Sequence, residues 1–161
     1  MHDIIKKDIL AVLEDLVEIL KVKEEGDITE LKELSNHIIH NASVFQDEDS
    51  ISVAILIYAL SKIIERKQKD LDYNKILGML NSGISNLKNS NDDLFRKSIK
   101  SIFSFIKTMD EKIKLYIYEV INQARIKKGC KLCEHGISVA RAAEVLGISQ
   151  WELMHYLGKT T

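Results

Sequence analysis

Apolar residues recur along the first two-thirds of this chain at three- and four-residue spacing, the period of an amphipathic helix. Ile5, Ile9, Leu13, Leu16 and Leu20 form one such stripe and predict a helix over 3–22. Leu31, Leu34, Ile38, Ala42 and Phe45 predict a second over 28–46. Residues 51–60 are apolar almost without interruption, which predicts a third helix, 51–67, with no polar face and therefore at the centre of a bundle. Ile76, Leu77, Leu80, Ile84 and Leu87 give a fourth over 73–88, weakened by Gly78 and Gly83. Leu94, Phe95, Ile99, Ile102, Phe103 and Ile106 give a fifth over 92–107. Thr108 and Glu111 fit a capping box that opens a sixth helix running to about Lys128, with Ile113, Ile117, Val120, Ile121 and Ala124 inward. Nothing alternates with a two-residue period, so no sheet is expected. The expected fold is all-α: a bundle of about six helices over 1–128, a Cys/Gly loop over 129–136, and a helix-turn-helix over 137–161.

Punctuation supports that reading. The 161 residues contain no proline and seven glycines, where about 5% proline is ordinary. The acidic run Asp47-Glu48-Asp49-Ser50 suits the start of the third helix, because carboxylates favour a helix N-terminus. Asn89-Ser90-Asn91-Asp92 has turn and cap chemistry.

The last part of the chain has its own logic. Ala142 and Ala143 are small enough for a second helix to cross closely. Leu146 packs under the turn, Gly147 can end a helix in the left-handed conformation, and Ile148 plugs the corner. Ser149 and Glu152 make a capping box for the next helix, with Leu153, Met154 and Leu157 inward. Two short helices joined over a glycine are a helix-turn-helix. In a major groove, the start of the second helix would read base edges. Gln150, Trp151, Glu152, His155 and Lys159 face outward, with Gln150 placed to pair with adenine and Arg141, Ser149 and Lys159 placed to touch phosphate.

The 24 residues 136–159, with Trp151-Glu152 and the trailing Leu157-Gly158-Lys159 as their more specific part, resemble the end of a poorly characterised family of small prokaryotic antitoxin-like proteins. That family's helix-turn-helix is proposed to bind DNA. The resemblance implies a regulator that binds double-stranded DNA and holds a toxin-like protein partner. Gln150 stands where the family often carries Arg or Lys.

Charge is unevenly spread along the chain. Residues 1–120 hold 17 Lys and Arg against 21 Asp and Glu, a net of −4; residues 121–161 hold six against three, a net of +3. A homodimer presenting two basic ends is the arrangement expected to bind DNA. The alternative is a helical protein-interaction or oligomerisation module that does not bind DNA.

Two sets of residues could hold a metal. Cys130, Cys133 and His135 supply three of the four ligands of a tetrahedral zinc site, so no cofactor is expected unless a fourth arrives from elsewhere. His37 and His40, three apart on the second helix with Glu33 one turn earlier, could bind a metal or exchange protons near neutral pH. The competing reading is a polar stripe at a helix contact, and the chain is not expected to be an enzyme. No phosphate-binding glycine loop, nucleophile elbow or zinc-protease helix is present. The longest apolar run, Val53 to Leu60, is eight residues, against ~20 for a bilayer span. A cytoplasmic location without membrane contact is the expectation.

Overall fold

A computed structural model of the chain describes residues 1–22, 27–67, 71–110 and 112–123. It places six helices there: α1 (Asp3–Val22), α2 (Asp27–Phe45), α3 (Glu48–Lys67), α4 (Tyr73–Lys88), α5 (Asp92–Met109) and α6 (Ile113–Gln123). There is no strand among the described residues, and the all-α reading holds.

Side-chain pairs fix the directions. Asn41 of α2 meets Asp8 of α1, while Glu30 and Glu33 near the start of α2 face Glu18 and Val22 near the end of α1, so the two run antiparallel. Lys32 early in α2 reaches Glu65 late in α3 at 3.2 Å, again antiparallel. Arg96 and Asp49 meet at the starts of α5 and α3, and Arg66 meets Asp110 at their ends, so those two are parallel. Tyr58 bonds Glu119 and Arg66 bonds Tyr116, which turns α6 back along α3. The described helices thus alternate up and down with α3 inside.

The central position of α3 follows from its composition. Val53, Ala54, Ile55, Leu56, Ile57, Ala59, Leu60 and Ile63 are all fully buried. They occupy every side of the helix, and burial is what such a helix requires. The core continues through Ile9, Leu13 and Leu16 of α1, Leu31 and Ile38 of α2, Ile76 and Leu87 of α4, Phe95 and Phe103 of α5, and Ile117 and Val120 of α6.

Helix ends depart from the expected positions in two places. Asp47 Oδ2 accepts the backbone N–H of Asp49 and of Ser50 at 3.1 and 3.0 Å, so α3 is capped there and starts three residues early. The Thr108 capping box does not form. Thr108 lies inside α5 and its hydroxyl donates to the Phe105 carbonyl at 2.6 Å. Helix α5 instead ends where Asp110 turns extended, and Asp110 Oδ1 accepts the Lys112 N–H at 2.9 Å ahead of α6. The helix continues past Thr108 because Met109 packs against the core.

The α4–α5 turn depends on one left-handed residue, Ser90 at φ 60°. With it there, Asn91 N–H reaches the Asn86 carbonyl at 2.9 Å and closes the exposed carbonyls at the helix end. Next to this turn Gly83 lets α5 come close: a Cβ there would sit 3.4 Å from Ser98 Cβ.

Candidate functional site

Two polar places stand out among the described residues, and each is built between two helices. The first joins α3 to the start of α6. Asp110, 8% exposed, accepts from Arg66 Nη2 and from the Tyr116 hydroxyl, the latter at 2.9 Å. Arg66 also donates to the Tyr116 oxygen, so guanidinium, carboxylate and phenol close a three-membered network. One turn down, the Tyr58 hydroxyl donates to Glu119. Burial pushes the Tyr58 hydroxyl pKa up, and the Glu119 carboxylate beside it pushes the same way, so the phenol stays protonated as the donor. The Tyr58 and Tyr116 rings pack edge to face, centroids 6.0 Å apart. Beside this network α3 and α6 leave a cleft of about 460 Å³.

The second place is the gap between α1 and α2, about 630 Å³, with Asp15, Glu18, Glu30 and Glu33 around an apolar floor of Ile19 and Leu34. His37 borders it. The histidine's Nε2 lies 3.2 Å from Asn41 Nδ2 and 4.0 Å from Asp8 Oδ1. Asn41 in turn donates to both oxygens of Asp8, at 2.8 and 2.9 Å. His40 is exposed and is not among the residues lining this gap. On the second helix, Asn41 bonds to α1 and His37 lies beside it, while His40 does not join them. No group of three or more His, Cys, Asp and Glu suited to a metal occurs among the described residues.

A third polar cluster is structural. Arg96 pairs with Asp49 through two hydrogen bonds and lies 3.6 Å from Glu48, with both acids buried in the first turn of α3. Those hydrogen bonds, then the neighbouring carboxylates, push the Arg96 pKa further up against the opposing cost of burial. The arrangement ties the start of α5 to the start of α3.

The expected reading head lies outside the described residues: Arg141, Ser149, Gln150, Trp151, Glu152, His155 and Lys159. So do the zinc candidates Cys130, Cys133 and His135, and the boundaries at 128 and 136. Sequence reasoning missed the Arg66–Asp110–Tyr116 network entirely. Its members are 44 and 50 residues apart in the chain, and only the direction of α6 brings them together. No helix among the described residues is long and apolar enough to cross a membrane. Neither a family model, nor a curated protein, nor a solved structure matches this chain.

Proposed function

We propose that this chain is a DNA-binding regulator, antitoxin-like in plan, in which the helical body carries a C-terminal helix-turn-helix as its reading head. One observation carries the reading: the helix–glycine–helix spacing of Ser138 to Leu157, with the cations Arg125, Lys127, Lys128 and Lys131 just ahead of it. The acidic stretch 1–120, of net −4, is repelled by duplex phosphate, so any DNA contact is confined to the remainder of the chain. Gln150 at the start of the second helix is the base-reading residue, and Arg141 and Lys159 are the phosphate contacts. Two copies would bring two such ends to one duplex. The body, with its continuous core from Ile9 to Val120, supplies the mount.

Fluorescence anisotropy of the full chain against the duplex upstream of its own gene tests this. The expected result is binding whose logarithm falls linearly with the logarithm of salt concentration. Absence of salt-dependent binding at low ionic strength, for dimer as well as monomer, would overturn it.

The runner-up is a helical interaction module that does not touch DNA. The acid-bordered gap between α1 and α2 favours it, because carboxylates around an apolar floor suit a basic protein segment. Acrylamide quenching of Trp151, the sole tryptophan, separates the two. Protection that appears only with DNA supports the reader; protection in the free protein supports the module.

A further inference from the structure

We propose that the cleft between α3 and α6 binds a small polyanion, an organic phosphate or a polycarboxylate. Its size, about 460 Å³, lies within the range of small-molecule sites. Its walls carry Lys62 and Arg66 from α3 and Lys112 from just ahead of α6. Two carboxylates stand near these three cations, leaving one positive charge in excess, and each carboxylate is already engaged by hydrogen bonds. Asp110 accepts from Arg66, from Tyr116 and from the Lys112 backbone, and Glu119 accepts from Tyr58. Two of the three cations are not engaged in this way. Among the described residues neither Lys62 nor Lys112 forms an ion pair; Lys62 rests over the Tyr58 ring, 5.3 Å from its centre.

Arg66 adds direction. A guanidinium has five N–H donors in a planar fork that fits carboxylate or phosphate. Only its Nη2 is used among the described residues, by Asp110 and Tyr116. Held by those partners, the guanidinium is oriented before any ligand arrives, so little ordering is left to oppose binding. Lys62 and Lys112 stand on opposite walls. A single negative charge satisfies one of them, whereas a polyanion spans both, and this is why the site selects for charge number. A ligand bridging the walls also fastens α6, the last described helix, to the body. That consequence for the mount of the reading head rests on the DNA-reader proposal; the binding does not.

Calorimetric titration of the full chain with pyrophosphate, and separately with citrate, tests the site in low-salt buffer free of phosphate. The expected result is saturable binding, one anion per chain, with at least one of the two probes; the probe that binds tells phosphate from carboxylate chemistry. Lys62→Gln and Lys112→Gln should each weaken it by about tenfold, as loss of a charge-assisted hydrogen bond does. Lys88→Gln removes a cation that pairs with Glu14 on the α1–α4 side and should leave it unchanged. No saturable heat with either probe overturns the proposal. So does an equal effect of sodium chloride at matched ionic strength, or of Lys88→Gln. A chain that binds the anion and ignores DNA supports this site and overturns the reader.

Discussion

Arg96 holds Asp49 with both arms of its guanidinium, Nε to Oδ1 and Nη2 to Oδ2, each at 2.9 Å. The Arg96 side chain is 14% exposed and that of Asp49 6%. Removing one partner of such a pair leaves an uncompensated buried charge, which costs about 3–5 kcal/mol. Arg96→Met is therefore expected to lower unfolding stability by that amount in urea titration. Adding Asp49→Leu should recover part of the loss, since one of the two buried carboxylates left behind is then gone. A single variant as stable as the parent would show that the pair contributes nothing.

Asp47 gives the fold a pH dependence of defined sign. Burial raises its pKa above the ordinary 3.8, against the opposing effect of its hydrogen bonds with Ser50. The folded state then holds this proton more tightly than the unfolded state does. Stability from this group is fully present below 3.8 and is lost as pH rises through the raised folded value. Asn at this position still caps α3 and cannot ionise. The Asp47→Asn chain should lack that share of the slope, in urea titrations compared from pH 4 to pH 7. A parent and variant with parallel curves would refute the assignment.

Gly78 sits on the exposed side of α4, and a Cβ built there meets no atom within 4 Å. Gly78→Ala should stabilise the protein by about 0.5–1 kcal/mol through helix propensity alone. The gain should appear as a higher urea midpoint with an unchanged slope.

Asp110 does three jobs at one corner: it ends α5, accepts the Lys112 N–H ahead of α6, and completes the network with Arg66 and Tyr116. Asp110→Ala should cost about 2–4 kcal/mol, combining a lost cap with the orphaned, buried Tyr116 phenol, while the exposed Arg66 guanidinium returns to water. The effect should be local before it is global. Amides of α6 should exchange faster than those of α1 or α3, because the main packing partner of α6 is α3, through Ile113, Tyr116, Ile117 and Val120. Uniform acceleration through the whole molecule would contradict this division.

The legible part of this fold was whatever one helix could state alone. Ile9, Leu13, Leu16 and Leu20 advertise the inward side of α1, and all four are buried. The unbroken run in α3 advertises its own centrality, because no amphipathic surface is left for solvent. What one helix cannot state is the relative rotation of two. Arg66 reads as part of a charged helix end, yet it is held by a carboxylate and a phenol some fifty residues on. His37 reads as half of a histidine pair with His40, yet its neighbours are Asn41 and Asp8. A two-histidine stripe on one helix does not state what the opposing helix offers, and α1 offers a carboxylate already engaged by an amide. Thr108 and Glu111 read as a cap, but a cap contributes only about 1 kcal/mol, and α5 runs past Thr108 to Met109, which packs against the core.

Gln150 offers a sharp test of the proposed reader, because it is the residue that proposal assigns to base reading. A lysine at the start of a recognition helix adds one phosphate contact, and each such contact steepens the salt dependence of log K by about 0.9. Gln150→Lys should therefore bind duplex more tightly at low salt and show a slope about one unit steeper. It should also lose discrimination at the base pair that glutamine reads, since a bidentate amide–adenine pair is worth about 1–3 kcal/mol over the wrong base. Gain of affinity with loss of selectivity is a signature that general surface charge does not give: Gln46→Lys, in the link between α2 and α3, adds the same charge and should change neither slope nor selectivity. Equal behaviour of the two variants would mean that position 150 does not face the duplex, and the reader would fall with it.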